Sequence, residues 1–225
     1  LQLMKSRGPD SQNFYNKNYL DKEILLLHSR LNIIDLNDRS NQPFMDDDLV
    51  LVFNGEIYNY LEIKKELIKK NYKFKTESDT EVLLKSYREY GDKCVDYFNG
   101  MWSFAIWDLK KKILFLSRDP FGEKPLYYYI NNDGFYFASE IKFIESLTND
   151  KLEKNYNKIF QNLFYGYKSL NKTNETFFKN INILEPSTNL IIDLDIKLQS
   201  KKYWIPKLDI NYSMKSNEAS DELKN

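Results

Sequence analysis

The stretch Leu49-Val50-Leu51-Val52-Phe53-Asn54-Gly55-Glu56-Ile57-Tyr58-Asn59 decides how this chain is read. Leu49 to Phe53 are aliphatic or aromatic without a polar break, the pattern of a strand buried on both faces. The run stops at Asn54-Gly55-Glu56. A carboxamide side chain and an unhindered backbone N–H arrive together at the strand end, and these are the two donor types that stabilise a developing oxyanion in acyl transfer. An Asn-Gly pair is also an ordinary turn. The apolar strand before it and the acid after it favour the functional reading.

Working outward, a helix is predicted from about Asn59 to Lys70, with Tyr60, Ile63 and Leu67 on one face and lysines on the other. Ser78-Asp79-Thr80-Glu81 is a capping-box pattern that opens a second helix burying Val82, Leu83, Tyr87 and Tyr90. Cys94, Val95 and Phe98 form a short helical segment ending near Asn99-Gly100. Upstream, Arg7-Gly8-Pro9-Asp10-Ser11 reads as a turn, and Ile24 to His28 as a strand continuing toward Leu31, Ile33 and Ile34. Downstream, Met101–Asp108 and Ile113–Arg118 are strands joined by a lysine-rich turn. Leu126–Ile130 and Phe135–Ser139 flank Asn131-Asn132-Asp133-Gly134, a hairpin signal. Both hairpins are apolar nearly throughout, so their antiparallel sheet is expected to be covered on both faces. Glu140–Glu145 starts a helix, Tyr156–Tyr165 is another, and Leu190–Leu194 is a last strand. After Tyr203-Trp204 the apolar pattern fades.

Composition narrows the classes. A 42% hydrophobic and 16% aromatic content supports a core. Thirty-three basic residues balance thirty-three acidic ones, which argues against a nucleic-acid partner. No apolar run approaches the ~20 residues of a membrane helix, so no membrane partner is expected and the location is read as cytoplasmic. One cysteine, Cys94, excludes an intramolecular disulfide and suits a reducing compartment. One histidine, His28, with one cysteine gives no His/Cys zinc site, and no metal is assigned.

The segments Arg7-Gly8-Pro9-Asp10, His28-Ser29-Arg30-Leu31-Asn32-Ile33-Ile34-Asp35, Asn54-Gly55-Glu56-Ile57-Tyr58-Asn59 and Ser78-Asp79-Thr80-Glu81, in this order, resemble the glutaminase domain of glutamine-hydrolysing asparagine synthetases, the class II glutamine amidotransferases. Asn99-Gly100-Met101-Trp102-Ser103-Phe104-Ala105, Arg118-Asp119-Pro120-Phe121-Gly122-Glu123-Lys124-Pro125-Leu126-Tyr127-Tyr128 and Phe137-Ala138-Ser139-Glu140 extend the match. The resemblance runs from residue 1 to about Trp204. It implies an α+β fold, a four-layer αββα sandwich of antiparallel sheets of the N-terminal-nucleophile hydrolase type, here lacking its first strand and helix. Residues 1–204 would be the amidotransferase domain and 205–225 a linker toward an ATP-dependent synthetase domain.

In that family an N-terminal cysteine attacks glutamine with its own α-amine as base. The ammonia released serves ATP-dependent amidation of aspartate, or of a sugar acid in related reading frames. Glutamine and the synthetase domain are therefore the implied partners, with a homodimer admitted. ATP and Mg belong to the synthetase domain, and no cofactor is expected in this one. Asn54 and Gly55 match the oxyanion hole. Arg30 matches the arginine holding the substrate α-carboxylate by two parallel bonds; a plain strand-end arginine is the alternative. The backbone of Leu31, Asn32, Ile33 and Ile34 would line the same pocket. Glu56 and Asp79 match acids near the α-ammonium, though Asp79 also suits a helix N-terminus.

His28 is read as a pocket-wall or core histidine before a general base, Cys94 as a buried structural thiol, and Arg118-Asp119 as structural support. The opening Cys-Gly-Ile segment of the family has no counterpart, so the chain by itself is expected to be inactive and poorly soluble or oligomeric. A Pro-Pro-Gly turn is replaced by Glu185-Pro186-Ser187-Thr188. The competing reading is a non-catalytic scaffold or glutamine-binding module.

Overall fold

The computed structural model describes residues 1–19, 21–148, 150–166, 173–207 and 220. The proposed linker 205–225 lies largely outside the described residues. At the centre are two long antiparallel strands, β4 (Leu49–Ile57) and β5 (Gly100–Asp108), paired from Leu49↔Asp108 to Ile57↔Gly100. The apolar run is thus only the first half of β4. Hydrogen bonding to β5 carries the strand past Asn54-Gly55-Glu56, which the sequence reading placed at its end.

β3 (Phe44–Asp46) flanks β4, and β6 (Ile113–Arg118), β10 (Thr188–Asp193) and β11 (Leu198–Lys202) extend the other side, giving the order β11-β10-β6-β5-β4-β3. Alternation assigns the two faces of this sheet. Leu49, Leu51, Phe53, Phe104, Ile106 and Phe115 pack under helices α1 (Tyr60–Lys69) and α2 (Asp79–Tyr90), which contribute Ile63, Leu67, Val82, Leu83 and Tyr87. Val50, Val52, Ala105, Trp107, Leu116, Leu190 and Ile192 face the opposite way. Each fully buried side chain of this size stabilises by roughly 1.5–3 kcal/mol relative to exposure.

The second face is covered in two pieces. One is the hairpin of β1 (Ser11–Tyr19) and β2 (Lys22–Arg30), which supplies Tyr15 and Leu26. The other is a three-stranded sheet, β8 (Phe135–Ala138), β7 (Tyr127–Ile130) and β9 (Ile181–Ile183), with Tyr128, Phe135 and Phe137 turned inward. Helix α3 (Ile141–Thr148) buries Phe143 and Ile144 and packs on β7 and β8. The layers are helix, sheet, sheet, helix, as the resemblance implies.

Three local expectations change. The two hairpins do not share a sheet: β5–β6 lies in the six-stranded sheet, whereas β7–β8 is half-buried in the other. β2 ends at Arg30, and residues 31–34 form a loop. β1 begins at Ser11, the last residue of the predicted turn, and the rest of it carries no strand prediction. Its sequence, SQNFYNKNY, buries a single residue, Tyr15, so it carries no hydrophobic alternation to detect. The helix α4 (Tyr156–Tyr165) also inverts the usual rule: Lys158 is buried while Phe160, Leu163 and Phe164 are exposed.

Ser78 caps α2 as expected, its hydroxyl accepting from Thr80 N–H. Glu81 does not close the box. Its carboxylate instead accepts from Lys75 N–H, Thr76 N–H and the Thr76 hydroxyl, knotting the loop ahead of the helix. Arg118 and Asp119 do the same for the loop 119–125. The guanidinium donates to the carbonyls of Gly122, Lys124 and Leu184, and the carboxylate accepts from the N–H groups of Trp102, Phe121, Glu123 and Lys124. Ser187, in the altered turn, adopts φ 52° and ties Asp119 to Tyr203 through its backbone.

Asp119→Ala strands four N–H donors, and we expect it to lower unfolding free energy by about 2–4 kcal/mol, measured by urea denaturation; a loss below half a kcal/mol contradicts the knot. Among the described residues β2 and β8 each present an unpaired edge, a template for association. Light scattering coupled to size exclusion should show self-association that rises with concentration, and a monomer at all concentrations contradicts it.

Candidate functional site

β2 and β8, but not β1 or β9, border a cleft of about 840 Å³ on the inner face of the six-stranded sheet. Along β4, alternation turns Asn54 and Glu56 to the same side as Val50 and Val52, into this cleft. Asn54 Nδ2 lies 3.4 Å from the Ser139 hydroxyl at the end of β8. Gly55 is required for another reason. A Cβ there would sit 2.2 Å from Met101 O on β5, so no side chain fits while the strands stay paired.

The backbone groups of β4 alternate in the plane of the sheet. Those of Leu51, Phe53, Gly55 and Ile57 point away from β5. Leu51 faces Phe44 of β3. Phe53 N–H donates to Gln42 Oε1 at 2.6 Å, and its carbonyl accepts from His28 Nε2 at 3.1 Å. Ile57 N–H donates to Asp79 Oδ2 at 3.1 Å. Between them, Gly55 N–H meets no side-chain acceptor among the described residues.

Arg30 closes the loop beyond β2. It is 6% exposed. One terminal nitrogen donates to Asn37 O and Asn41 Oδ1, the other to Ile34 O and Asp35 O. All four terminal N–H bonds are therefore spent on the protein. The expected two-bond grip on a carboxylate is not preformed. Among the described residues Nε–H keeps no acceptor, and a second bond requires sharing. Burial lowers the guanidinium pKa, while the nearby carboxylates Asp35, Asp79, Asp10 and Asp38 oppose that shift. For Asp35, burial is outweighed by hydrogen bonds from Glu77 N–H and Asn37, which hold it below the usual carboxylate range.

Leu31, Ile33 and Ile34 line the cleft, and Leu31 and Ile33 are exposed. Asn32 does not line it; its N–H is turned to Asp10 Oδ2. Asp10 belongs to the Arg7–Asp10 turn, where Gly8 lies so close to β2 that a Cβ would stand 2.3 Å from the Ser29 carbonyl. Arg7 reaches across to Glu140 at 2.7 Å.

Glu56 and Asp79 bring two carboxylates to one wall. Burial raises the Asp79 pKa and the Glu56 charge adds to it, against hydrogen bonds from Ile57 N–H, Ser78 and Thr80 N–H. A cation between the two acids would relieve both the repulsion and the desolvation.

His28 lines the same cleft. Donation to Phe53 O fixes its proton on Nε2, and burial pushes its pKa down to about 4. It is a neutral, structural imidazole and a poor base at neutral pH. Cys94 is fully buried in the helical core, and burial pushes its thiol pKa up, so it offers no thiolate. Gln42 was missed by the sequence reading. Its partner Phe53 is eleven residues away, and no local pattern announces it.

Comparisons with known proteins bear on the family and the fold. A Methanocaldococcus jannaschii relative bearing the name of a glutamine-hydrolysing asparagine synthetase is 40% identical over 217 residues, 89% of this chain and 41% of its own length. The Bacillus subtilis protein named asparagine synthetase [glutamine-hydrolyzing] 1 is 37% identical over 205 residues, 90% of this chain and 31% of its own. The chain therefore spans well under half of these relatives. Among solved structures, a B. subtilis glutamine phosphoribosylpyrophosphate amidotransferase superposes with a TM-score of 0.57 over 81% of this chain and 35% of its own, at 20% identity, a likeness of fold. The family model described as a glutamine amidotransferase domain matches residues 1–204, and the chain belongs to that family.

Proposed function

We propose that the cleft binds L-glutamine and that the chain is the glutaminase part of a longer asparagine synthetase. The observation that carries this is the pairing of Asn54, turned into the cleft, with Gly55 N–H, which among the described residues is the outward donor on this strand edge that meets no side-chain acceptor. A side-chain amide and a backbone N–H on adjacent residues are the two donor types that suit a carbonyl oxygen becoming an oxyanion. Glu56 and Asp79 take the α-ammonium. Arg30 and the loop 31–34 take the α-carboxylate, with Nε–H as the available donor.

In the reaction so assigned, a thiolate adds to the carboxamide carbon and the negative charge moves to the oxygen between Asn54 and Gly55. The thiol's proton, taken up by the nucleophile's own α-amine, passes to the amide nitrogen as the C–N bond breaks and ammonia leaves; water then cleaves the thioester to glutamate and restores the thiol. Cys94 is too deeply buried to be that thiol. The nucleophile is assigned to a further strand entering between the free edges of β2 and β8, which border the cleft. Ammonia would then pass to a synthetase unit that uses ATP and Mg, with aspartate the acceptor suggested by the relatives' names.

Isothermal calorimetry should show the chain binding L-glutamine, and Asn54→Ala or Asp79→Asn weakening it at least tenfold. Because burial keeps Asp79 protonated to higher pH than an ordinary carboxyl, affinity should fall as the pH drops toward the carboxylate range. Asp79→Asn should flatten that profile; a wild-type affinity independent of pH would sink the ammonium assignment. The chain incubated with glutamine should release no ammonia. Turnover that survives Cys94→Ala overturns the assignment of the nucleophile.

A further inference from the structure

We propose that Gln42 is a positioning residue for carboxamide recognition: its side chain replaces a neighbouring strand along β4 and so leaves Gly55 N–H open to the ligand. The inference rests on the glutamine reading of the cleft. It starts from register. β3 pairs with β4 as Phe44↔Leu51, so two residues further along the ladder Gln42 would oppose Phe53, and Ser40 would oppose Gly55. That ladder would consume the Gly55 N–H.

The ladder instead stops at Phe44. Upstream of Phe44, the first residue of β3, the chain leaves the edge. The side-chain amide of Gln42 then supplies what its backbone does not. Oε1 accepts Phe53 N–H at 2.6 Å, and Nε2 reaches Thr80 Oγ1 at 3.4 Å on the first turn of α2. Gln42 is 6% exposed, so this amide is a committed internal partner. His28 completes the replacement by taking the Phe53 carbonyl, and Asp79 takes Ile57 N–H. Phe53 and Ile57 are thereby held on either side of Gly55 without a strand beside it. The direction of the Gly55 N–H is set by the two residues that flank it.

The test separates recognition of the carboxamide from recognition of the amino-acid head. The full chain, labelled with ¹⁵N, is titrated with L-glutamine and with L-norvaline, which has the same head and no carboxamide. Gln42→Met keeps length and loses the acceptor; Gln42→Glu keeps an acceptor. We expect Gln42→Met to reduce the preference for glutamine over norvaline by about tenfold, the size of one well-placed hydrogen bond. Norvaline affinity should stay within about twofold, an order set by the near-neutrality of distant changes. The Gly55 amide resonance should shift and exchange faster, and Gln42→Glu should restore most of the preference.

If Gln42→Met does not fold, the pair His28→Gln and His28→Phe reads the same edge from the carbonyl side: the first, which keeps a donor, retains the preference and the second loses it. A folded Gln42→Met chain with wild-type preference, or two His28 variants that behave alike, overturns the inference while leaving glutamine binding intact. Failure of the wild-type chain to bind glutamine overturns the site reading and the inference together.

Discussion

Backbone N–H and carbonyl groups along the outer edge of β4 need partners, and the way those on either side of Gly55 find them organises the site. A buried peptide group without a hydrogen bond is costly. Leu51 is met by a strand, Phe53 by two side chains, and Ile57 by a carboxylate at a helix N-terminus. The groups recruited for this come from β2, from the segment before β3 and from α2. The edge therefore draws three separate parts of the chain to one place. Gly55 stands in the middle, pressed against β5 so closely that only a hydrogen atom fits on its Cα. The tight β4–β5 ladder fixes the position of the donor, and the side chains on the open edge fix its direction.

What could be read from the sequence follows from the range of each interaction. The Ser78 cap and the Asn131–Gly134 hairpin are local signals, complete within a few residues, and both appear in the structure; Asn54 and Glu56 line the cleft, but from within β4 and not beyond its end. Arg118-Asp119 was legible as a support because both halves of the knot are adjacent in sequence. Gln42 was not, because its meaning depends on the β3–β4 register. The capping-box pattern misled at Glu81 because Thr76 and the N–H of Lys75 offered stronger partners than the cap. Lys158 shows the same limit from the other side. Apolar spacing correctly gives a helix, but it assigns the apolar face to the interior, whereas the structure buries a lysine and exposes Phe160, Leu163 and Phe164.

Arg30 and Arg118 form an instructive pair. Both are almost buried, and both spend their guanidinium groups on carbonyl-type acceptors from loops. Carbonyls satisfy donors without neutralising the charge. For Arg118 the adjacent carboxylate Asp119 supplies the balance. For Arg30 the balance is spread over the carboxylates of Asp35, Asp79, Asp10 and Asp38, none of which accepts a hydrogen bond from it. A positive charge surrounded at a distance by acids but contacted only by neutral oxygens remains attractive to an anion arriving on its open side.

The same four bonds also decide what such an anion would meet. A free arginine side chain loses up to ~2 kcal/mol of rotamer entropy when a ligand immobilises it. Arg30 has already surrendered that freedom to the loop it closes. Binding at its remaining N–H would draw on a side chain that is already rigid, so the ordering cost was met when the protein folded.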